Sequence, residues 1–227
     1  MSKTHLPGYL LFTVLLLFVG SFAFHGNLLG KTLSSAFVPV SEQDEPQITL
    51  RDIEATGASF EEFVALIQEN PQKIKPLPPE EIDSETLWLA RCIYSETKRP
   101  SEMELVAWVV RNRVETEYRG RDTYRDVVLD PYQFSAFNPG SRKRWFYSDL
   151  DVATEIRSWQ NALAIAQNVR QAGPSYRPFS ETTRHFYSER SMVGRLHPEW
   201  AIGKSPVLPQ RKFTLDQRRF RFYEDVS

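Results

Sequence analysis

The sequence predicts a mainly helical α+β domain with a small β portion, preceded by an N-terminal membrane or signal segment. Three observations predict this class. Apolar residues recur at helical spacing in three segments between residues 84 and 172, aromatic clusters typical of short strands occur in the last quarter, and residues 9–24 form an uncharged apolar run. With a formal net charge of −1 and 41% hydrophobic residues, the 227-residue chain has an ordinary globular composition, which gives no reason to expect nucleic acid as a partner.

Residues 1–30 are predicted to be a signal peptide or a membrane anchor. The run YLLFTVLLLFVGSFAF at residues 9–24 follows Lys3 and contains no charge. A spanning helix needs about 17–25 residues, so this run lies between a long signal-peptide core and a short membrane span. Small residues at 21–23 and 34–36 provide two candidate cleavage sites. We favour an uncleaved anchor with Lys3 in the cytoplasm, and either alternative places the rest of the chain outside the cytoplasm.

Residues 31–81 are predicted to be a tether with one short amphipathic helix and a proline-rich linker. In SFEEFVALIQEN, Ser59 and Glu62 have the spacing of a capping box. Four apolar residues of this stretch fall on one helical face: Phe60, Phe63, Val64 and Ile67. Four prolines between residues 71 and 79 then stiffen the chain before the main domain, residues 82–227.

The first two helices of the main domain are separated by only a few residues. The first is predicted over residues 84–96, with Leu89, Ile93 and Glu96 on one face. The second is predicted to start at Ser101, where Ser101 and Glu104 form a capping box, and to continue to about residue 117. Its buried stripe is expected to contain Val106, Val110 and Val114, widened by Trp108 and Val109.

A third helix and two short strands complete the prediction. The helix covers about residues 154–172 and ends at Gly173 and Pro174, as a C-cap glycine followed by proline. Its inward residues are predicted to be Ile156, Trp159, Leu163, Ala166 and Val169. The segments RHFYS and FRFYED near the C-terminus are predicted to be strands.

Glu96 is the candidate catalytic residue of this domain. It shares a face with buried residues and ends a helix, where the negative end of the helix dipole disfavours a second negative charge. Partial burial acts in the same direction, so both effects raise its pKa and suit it to donate a proton near neutral pH. Spacing alone favours the plainer interpretation, in which Glu96 is a solvated glutamate paired with Lys98 or Arg99.

A family resemblance shifts this balance. The segments LARCIYSETKRPSEMELVAWVVRNRV, YRDVVLDPYQFSAF and HFYS…PEW, with the Trp159 helix between the last two, resemble the SleB-like cell wall hydrolases of the spore cortex-lytic type. The resemblance covers about residues 87–227. It implies a lysozyme-like domain that cleaves the glycan strands of peptidoglycan, with Glu96 as the catalytic acid. The commoner family motif Glu-Ala-Arg-Gly-Glu reads Glu96-Thr97-Lys98-Arg99-Pro100 here, so its second glutamate is missing.

The missing glutamate bears on the reaction type. Retaining and inverting glycosidases need a second carboxyl group at about 5–5.5 Å or about 6.5–9.5 Å. No motif marks one, although Glu102, Asp130, Glu181 and Glu189 remain possible. A lytic transglycosylase needs a single acid, so we expect a transglycosylase acting at the MurNAc–GlcNAc β-1,4 bond. The alternatives are a hydrolytic muramidase with an unrecognised second carboxylate and a non-catalytic peptidoglycan-binding or scaffold module.

Six further residues are predicted to bind substrate. By family match, Gln133 and Ser135 lie in the cleft, although Ser135 suits turn capping equally well. Tyr132 is expected to stack on a sugar face, and Asn112 to orient Glu96.

The remaining two come from the C-terminal part. His185 and Tyr187, with Trp200, are expected to line the cleft, although His185 suits a hydrogen-bonded structural role at least as well. Arg113, beside Asn112, is expected to be a structural brace.

No cofactor or metal is predicted. His185, His197 and Glu199 match no metal-ligand spacing, and the thiol of Cys92 lies deep in a helix rather than at a helix N-terminus, which disfavours a nucleophile. The alternation in RRFRFYED is that of a strand with one solvated face rather than of an RNA-binding segment. The expected partners are peptidoglycan strands and, through the N-terminal segment, the inner membrane. The expected location is the extracytoplasmic side of a bacterial envelope.

Overall fold

A computed structural model describes residues 78–194, 196–210, 213 and 215–226, together with isolated residues between 55 and 69. The apolar run at 9–24 and the four predicted inward residues Phe60, Phe63, Val64 and Ile67 lie outside the described residues. In the part of the chain that is described, no helix is both long and apolar enough to cross a membrane.

The described chain from residue 78 onwards forms five α-helices and one two-stranded sheet, which confirms the mainly helical α+β class. The elements are α1 (Ser84–Glu96), α2 (Pro100–Glu115), α3 (Tyr124–Leu129), α4 (Arg144–Asp149), α5 (Arg157–Gln171), β1 (His185–Tyr187) and β2 (Arg221–Tyr223). Short 3-10 turns occur in the connections, including Tyr118–Gly120 and Ser135–Phe137. Helix α1 packs against α2, α3, α4 and α5, so its end is enclosed by other elements.

Helix α1 has the predicted bounds because both of its ends carry clear signals. Asp83 caps the N-terminus by accepting a 2.7 Å hydrogen bond from the backbone N–H of Thr86. At the other end Thr97 adopts an extended conformation (φ −153°), so the helix stops at Glu96. Its carboxylate therefore projects from a fixed helix end.

Helix α2 differs from the prediction at both ends. It begins at Pro100 with Arg99 as the N-cap residue, so the predicted Ser101–Glu104 capping box does not start the helix. Proline suits the first helical position because its φ is already helical and its missing N–H has no partner to lose there. The helix ends at Glu115 rather than near 117, since Glu117 has a left-handed conformation (φ 46°).

The buried part of α2 is much wider than one stripe. Every residue from 101 to 110 is buried, whereas Val114 is only partly buried. Helices α1, α3 and α5 all pack on α2, so this stretch of α2 has no fully solvated side. Each fully buried large apolar side chain contributes about 1.5–3 kcal/mol, and Trp108 is among those with no exposed area.

Helix α5 buries four of its five predicted inward residues: Trp159, Leu163, Ala166 and Val169. The prediction for Ile156 is wrong, because this residue is the N-cap of the helix and 38% exposed. The helix ends at Gln171, but Gly173 has φ −65° and is not a left-handed cap. Pro174 instead opens a 3-10 turn.

The sheet joins the C-terminal residues to the rest of the domain. Strands β1 and β2 are antiparallel, with His185 opposite Tyr223, Phe186 opposite Phe222 and Tyr187 opposite Arg221. Phe222 is fully buried and its ring lies 4.9 Å from that of Phe179. Both predicted strands are therefore present, and alternation puts His185 and Tyr187 on the same face.

The hydrogen bonds predicted between Ser59 and Glu62 are present. The backbone N–H of Ser59 donates to Glu62 Oε2 at 2.7 Å, and the backbone N–H of Glu62 donates to Ser59 Oγ at 3.3 Å. These reciprocal bonds form the predicted capping box. Leu66, further along, packs against the hydrophobic core.

Candidate active site

A cleft of about 870 Å³ opens beside the end of α1. Its walls come from the ends of α1 and α2, the turns around residues 118–119 and 132–138, strand β1, the following loop, and the C-terminal segment that contains Arg219 and Phe220. These parts are far apart in the sequence, so the cleft exists only in the folded chain. A cavity of this size is within the range that binds small molecules or short oligomers.

Glu96 lies in this cleft as an isolated carboxyl group. The residue is partly accessible from the cleft and surrounded by protein elsewhere. Burial raises its pKa to about 7, although the positive charges of Arg113, Lys143 and Lys98 oppose that rise. A large share of Glu96 is therefore protonated at neutral pH, as a general acid requires.

The alternative in which Glu96 is paired with its basic neighbours is not what the structure has. Lys98 donates to the carbonyl of Tyr94, and its Nζ lies 3.2 Å from the centre of the Tyr94 ring. Arg99 forms an ion pair with Glu102 at 3.4 Å. Burial lowers the pKa of Lys98 to about 8. Among the described residues, neither cation forms an ion pair with Glu96.

Among the described residues, Glu96 is the only carboxylate that lines the cleft. Three of the four candidate second acids are paired with arginine: Glu102 with Arg219 at 2.8 Å, Asp130 with Arg119 at 2.7 Å, and Glu189 with Arg221 at 2.7 Å. The fourth, Glu181, is exposed. None of them lines the cleft, so no second carboxyl group faces Glu96 there.

The structure brings together six of the seven predicted site residues at one cleft: Glu96, Tyr132, Gln133, Ser135, His185 and Tyr187. Tyr132 is 81% exposed and has a left-handed conformation (φ 66°) that turns it outwards. Its backbone N–H donates to Asn138 Oδ1 at 2.9 Å, and Asn138 also lines the cleft. Ser135 is exposed and opens the 3-10 turn Ser135–Phe137 without acting as a side-chain cap.

Asn112 is the seventh residue, and the structure does not place it in the cleft. Its side chain is fully buried and its NH₂ group donates to the carbonyls of Ser180 and Thr183 at 3.0 and 2.9 Å. Its carbonyl oxygen accepts from Arg177 at 2.9 Å. The predicted role in orienting Glu96 is therefore corrected: Asn112 holds the 180–183 loop against α2, because both ends of its amide are used there.

Arg113, expected to be a structural brace, also lines the cleft. Its Nε donates to the carbonyl of Arg184 at 2.6 Å, and its guanidinium lies 5.1 Å from the centre of the Phe134 ring. Burial lowers its pKa to about 10, and within the described residues no acid forms an ion pair with it. Among the positive charges that lower the pKa of Glu96, that of Arg113 has the largest effect.

His185 is held as a neutral imidazole. Its Nε2 lies 3.0 Å from the Tyr118 hydroxyl, and its ring lies 5.0 Å from that of Trp200. Burial lowers its pKa to about 4, with further lowering by the charges of Arg113, Arg184 and Lys204. It is therefore a neutral polar group at neutral pH, whereas a large share of Glu96 carries its proton there.

Tyr187, on the same face of β1, orders the outer wall of the cleft. Its hydroxyl lies 3.1 Å from His197 Nδ1 and its ring stacks on Tyr223 with 5.7 Å between centroids. Sequence reasoning missed three arginines in these walls, Arg119, Arg190 and Arg219. Nothing in their local pattern distinguishes them from other surface arginines.

Two other expectations concern cysteine and metal. Cys92 is fully buried, and burial followed by the charge of Glu96 raises the pKa of its thiol, so a thiolate is disfavoured. Across the described part of the chain, no group of three or more His, Cys, Asp or Glu residues is arranged to hold a metal ion.

A carboxyl group of raised pKa in an open cleft has the protonation state that a general acid for glycosidic cleavage requires. Residues 98–208 match the family described as Cell Wall Hydrolase. The match confirms the resemblance to SleB-like cell wall hydrolases and supports peptidoglycan-lytic activity in general. Neither a curated protein nor a solved structure gives a significant match to the chain. The matched segment begins two residues after Glu96, so the role of Glu96 depends on the geometry described above.

Proposed function

We propose that this chain is a lytic transglycosylase that cleaves the MurNAc–GlcNAc β-1,4 bond of peptidoglycan, with Glu96 as its single acid and base. The observation that supports this proposal is that Glu96, with a pKa of about 7, is the only carboxylate lining the cleft among the described residues. A hydrolase of the retaining or inverting type needs a second carboxyl group at a defined distance, whereas a transglycosylase does not.

The reaction needs two proton transfers at Glu96. The protonated carboxyl group donates its proton to the glycosidic oxygen while the bond from that oxygen to C1 of MurNAc breaks. The 6-hydroxyl oxygen of the same MurNAc then bonds to C1 and its proton returns to the Glu96 carboxylate. The N-acetyl group of MurNAc can assist at C1 between these steps. The products are a 1,6-anhydro sugar and a free 4-hydroxyl, no water is consumed, and Glu96 is regenerated.

The surrounding side chains have suitable chemistry for positioning the strand. Gln133 and Ser135 present an amide and a hydroxyl at the cleft, which suit the N-acetyl and hydroxyl groups of the sugars. The exposed ring of Tyr132 at the mouth suits stacking on a sugar face. Neutral His185, fixed by Tyr118, offers a polar group that does not compete with Glu96 for protons.

We further propose that the enzyme works on the extracytoplasmic side of the bacterial inner membrane and is tethered there by its N-terminal segment. The support is the uncharged run at residues 9–24, followed by a proline-containing segment before the main domain. Peptidoglycan, the substrate class of the family, lies on that side of the membrane. Cell fractionation with an antibody against the C-terminal part tests this location, and recovery in the cytoplasm would overturn it.

Mass spectrometry of peptidoglycan digested by the full chain tests the activity, with Glu96→Gln as the matched control. Products that end in 1,6-anhydro-muramic acid, one water lighter than reducing ends and absent with the variant, are expected. Reducing ends would instead require a hydrolytic muramidase. Tight binding by a folded wild-type chain with no products would favour the non-catalytic binding module.

A further inference from the structure

Five consecutive residues beside the cleft expose charges and rings that the proposed mechanism does not use. We call Arg142, Lys143, Arg144, Trp145 and Phe146 the basic–aromatic platform. Trp145 is 71% exposed and Phe146 41%, while Arg142 and Lys143 are exposed and Arg144 partly so. Among the described residues none of the three cations forms an ion pair, although most arginines lining the cleft do. Adjacent exposed rings and unpaired cations of this kind are typical of a binding surface.

The platform is fixed to the domain. Tyr147, the next residue of α4, packs edge-to-face on Tyr94 of α1 with 6.1 Å between ring centroids. It also lies 6.2 Å from the ring of Phe137, in the turn Ser135–Phe137. The ring of Phe146 lies 5.1 Å from that of Tyr147. The exposed rings are therefore presented by a helix whose other side is packed against the domain.

The platform adjoins the Glu96 end of the cleft. Lys143 is close enough to Glu96 for its charge to lower the pKa of that carboxyl group. Burial, followed by Tyr94 and Glu96, raises the pKa of Tyr147. The turn on which α4 packs also carries Ser135, which lines the cleft. A polymer that passes Glu96 and leaves the cleft on this side therefore reaches α4.

We propose that the basic–aromatic platform is an additional binding site for the glycan strand, in which Trp145 stacks on a sugar ring and the cations face muramyl and stem-peptide carboxylates. This inference depends on the proposed function, because it extends the path of the same substrate. Pyranose rings present C–H faces that suit aromatic stacking, and peptidoglycan carries carboxylates along its length. The platform thus favours long, peptide-bearing strands over short or uncharged ones.

Rings beside cations are also found where proteins meet membranes. The position of the platform, next to the catalytic carboxyl group and on the turn that carries Ser135, favours the polymer over a lipid surface. Vesicle binding is therefore included as an opposing outcome of the test.

The first experiment measures binding without turnover, using the full chain with Glu96→Gln and insoluble peptidoglycan sacculi in a pelleting assay. Adding Trp145→Ala is expected to weaken binding about tenfold, while Trp145→Phe, which keeps a stacking ring, retains most of it. Adding Arg142→Gln and Lys143→Gln is expected to weaken binding and reduce its salt dependence. Because Glu96 is already replaced, the effect of Lys143 on its pKa does not enter.

Arg125→Gln is the matched control for charge. Arg125 is also exposed, but it lies on α3. This helix is next to the N-terminal end of α1, because the backbone N–H of Tyr124 donates a hydrogen bond to Glu85. Glu96 is at the other end of that helix, so we expect no change in sacculus binding. Thermal unfolding of every variant checks that the exposed substitutions leave the domain folded.

The second experiment compares cleavage of long strands with cleavage of a tetrasaccharide. The ratio of kcat/KM for long strands to that for the tetrasaccharide is expected to fall about tenfold in Trp145→Ala. An unchanged ratio with unchanged sacculus binding would overturn the platform. If Trp145→Ala reduces binding to phosphatidylglycerol vesicles but leaves sacculus binding unchanged, the platform is a membrane-binding surface and the glycan-binding proposal is overturned. If wild type gives no products, the proposed function fails, and the sacculus assay still decides whether the platform binds the polymer.

Discussion

At the residue scale, the cleft isolates one carboxyl group among cations and neutral polar groups. Two acids near Glu96 in the sequence or in the fold already have arginine partners: Glu102 pairs with Arg219, and Asp130 pairs with Arg119. Their negative charges are therefore neutralised by those partners. Burial raises the pKa of Glu96, and the nearby cations make this rise smaller. Glu96 should therefore contribute to the pH dependence of both activity and stability.

The pH dependence of kcat/KM is the first prediction. Only the protonated form of Glu96 can act as the acid, and its pKa is about 7, so the rate should fall tenfold per pH unit well above that value. Initial rates on soluble glycan strands between pH 5 and 9 measure this limb. A rate that keeps rising to pH 9 would contradict the assignment of Glu96 as the acid.

The second prediction is that Glu96→Gln stabilises the protein at pH 8. The folded pKa of about 7 lies above the ordinary value of 4.5, so the folded state holds the proton more tightly and the contribution of Glu96 to wild-type stability falls as pH rises from about 4.5 to 7. Glutamine stays neutral, so the variant should gain about 1–3 kcal/mol above pH 7 and no such gain below pH 4.

Urea unfolding at pH 4 and pH 8 measures this difference, with Glu181→Gln as the control at an exposed glutamate. The control should follow the wild-type pH dependence. Equal free energies of unfolding for Glu96→Gln and wild type at pH 8 would show that Glu96 is not held in a desolvated site.

The third prediction separates a structural role of Asn112 from a catalytic one. Asn112→Ala leaves the buried Thr183 carbonyl, the partly buried Ser180 carbonyl and one Arg177 N–H without their partner, which should lower the free energy of unfolding by about 2–4 kcal/mol. Asn112→Asp keeps the size but removes both donors, and should cost at least as much. The folded fraction of each variant should still form products, whereas complete inactivity of a fully folded variant would restore the catalytic role.

At the element scale, the junction between α1 and α2 positions Glu96. Extended Thr97 ends one helix and Pro100 begins the next, while Glu102 in the first turn of α2 is 1% exposed and accepts two hydrogen bonds from Arg219. Thr97 Oγ1 donates to the same carboxylate at 2.6 Å. Glu102 thus connects the segment after Glu96 to the C-terminal segment that forms the opposite wall.

The fourth prediction is that the Glu102–Arg219 pair is strongly coupled and the Glu189–Arg221 pair is not. Both pairs have nearly the same N–O distance, 2.8 and 2.7 Å, but Glu102 is buried whereas Glu189 and Arg221 are about one-third exposed. Glu102→Gln should cost about 1.5–3 kcal/mol, because the neutral amide at this buried position loses the charge-assisted hydrogen bonds from Arg219, whose side chain is 26% exposed. Glu189→Gln should cost below about 1 kcal/mol.

Double-mutant cycles with Arg219→Gln and Arg221→Gln, measured by urea unfolding, give the two coupling energies. Equal coupling in both pairs would indicate that burial of Glu102 does not strengthen its pairing.

How far the sequence predicts these elements depends on how local their signals are. The bounds of α1 follow from Asp83 and the break after Glu96, and both strands follow from aromatic clusters, all of which are local. The burial of α2 depends on packing by three other helices, which no window of the sequence contains. The buried face predicted for α2 is therefore narrower than the one in the structure, where every residue from 101 to 110 is buried.

The sequence also could not show that Arg113, rather than Asn112, faces the cleft. These neighbours project about 100° apart on α2, and periodicity cannot tell which of two adjacent polar residues meets the cleft. The partners of Asn112, the carbonyls of Ser180 and Thr183, are about 70 positions away along the chain, since the separations are 68 and 71. Only the folded loop reveals that its amide is already satisfied.

At the scale of the whole molecule, the C-terminal strand is a structural part of the core. Phe222 is fully buried between Phe179, Phe186 and Phe220, and Tyr223 and Val226 are buried as well. Arg219, Phe220 and Val226 line the cleft. Residues of this C-terminal segment, such as Phe220 and Val226, are therefore both buried in the domain and part of the candidate active site.

The fifth prediction is that Phe222→Ala lowers the free energy of unfolding by about 3–5 kcal/mol, because a fully buried ring leaves a cavity in the aromatic cluster. Leu208→Ala, at a residue that is 60% exposed, is the control and should change it by less than about 1 kcal/mol. A small effect of Phe222→Ala in urea unfolding would show that the C-terminal strand is dispensable for the core.

The C-terminal position of this cleft wall also affects when a newly made chain can act. A ribosome makes Glu96 more than a hundred residues before Arg219, Phe220 and Val226, which complete the cleft. A partly synthesised chain therefore carries the acid without the wall that encloses it. A chain whose synthesis has not yet passed residue 226 therefore lacks a complete cleft around its candidate acid.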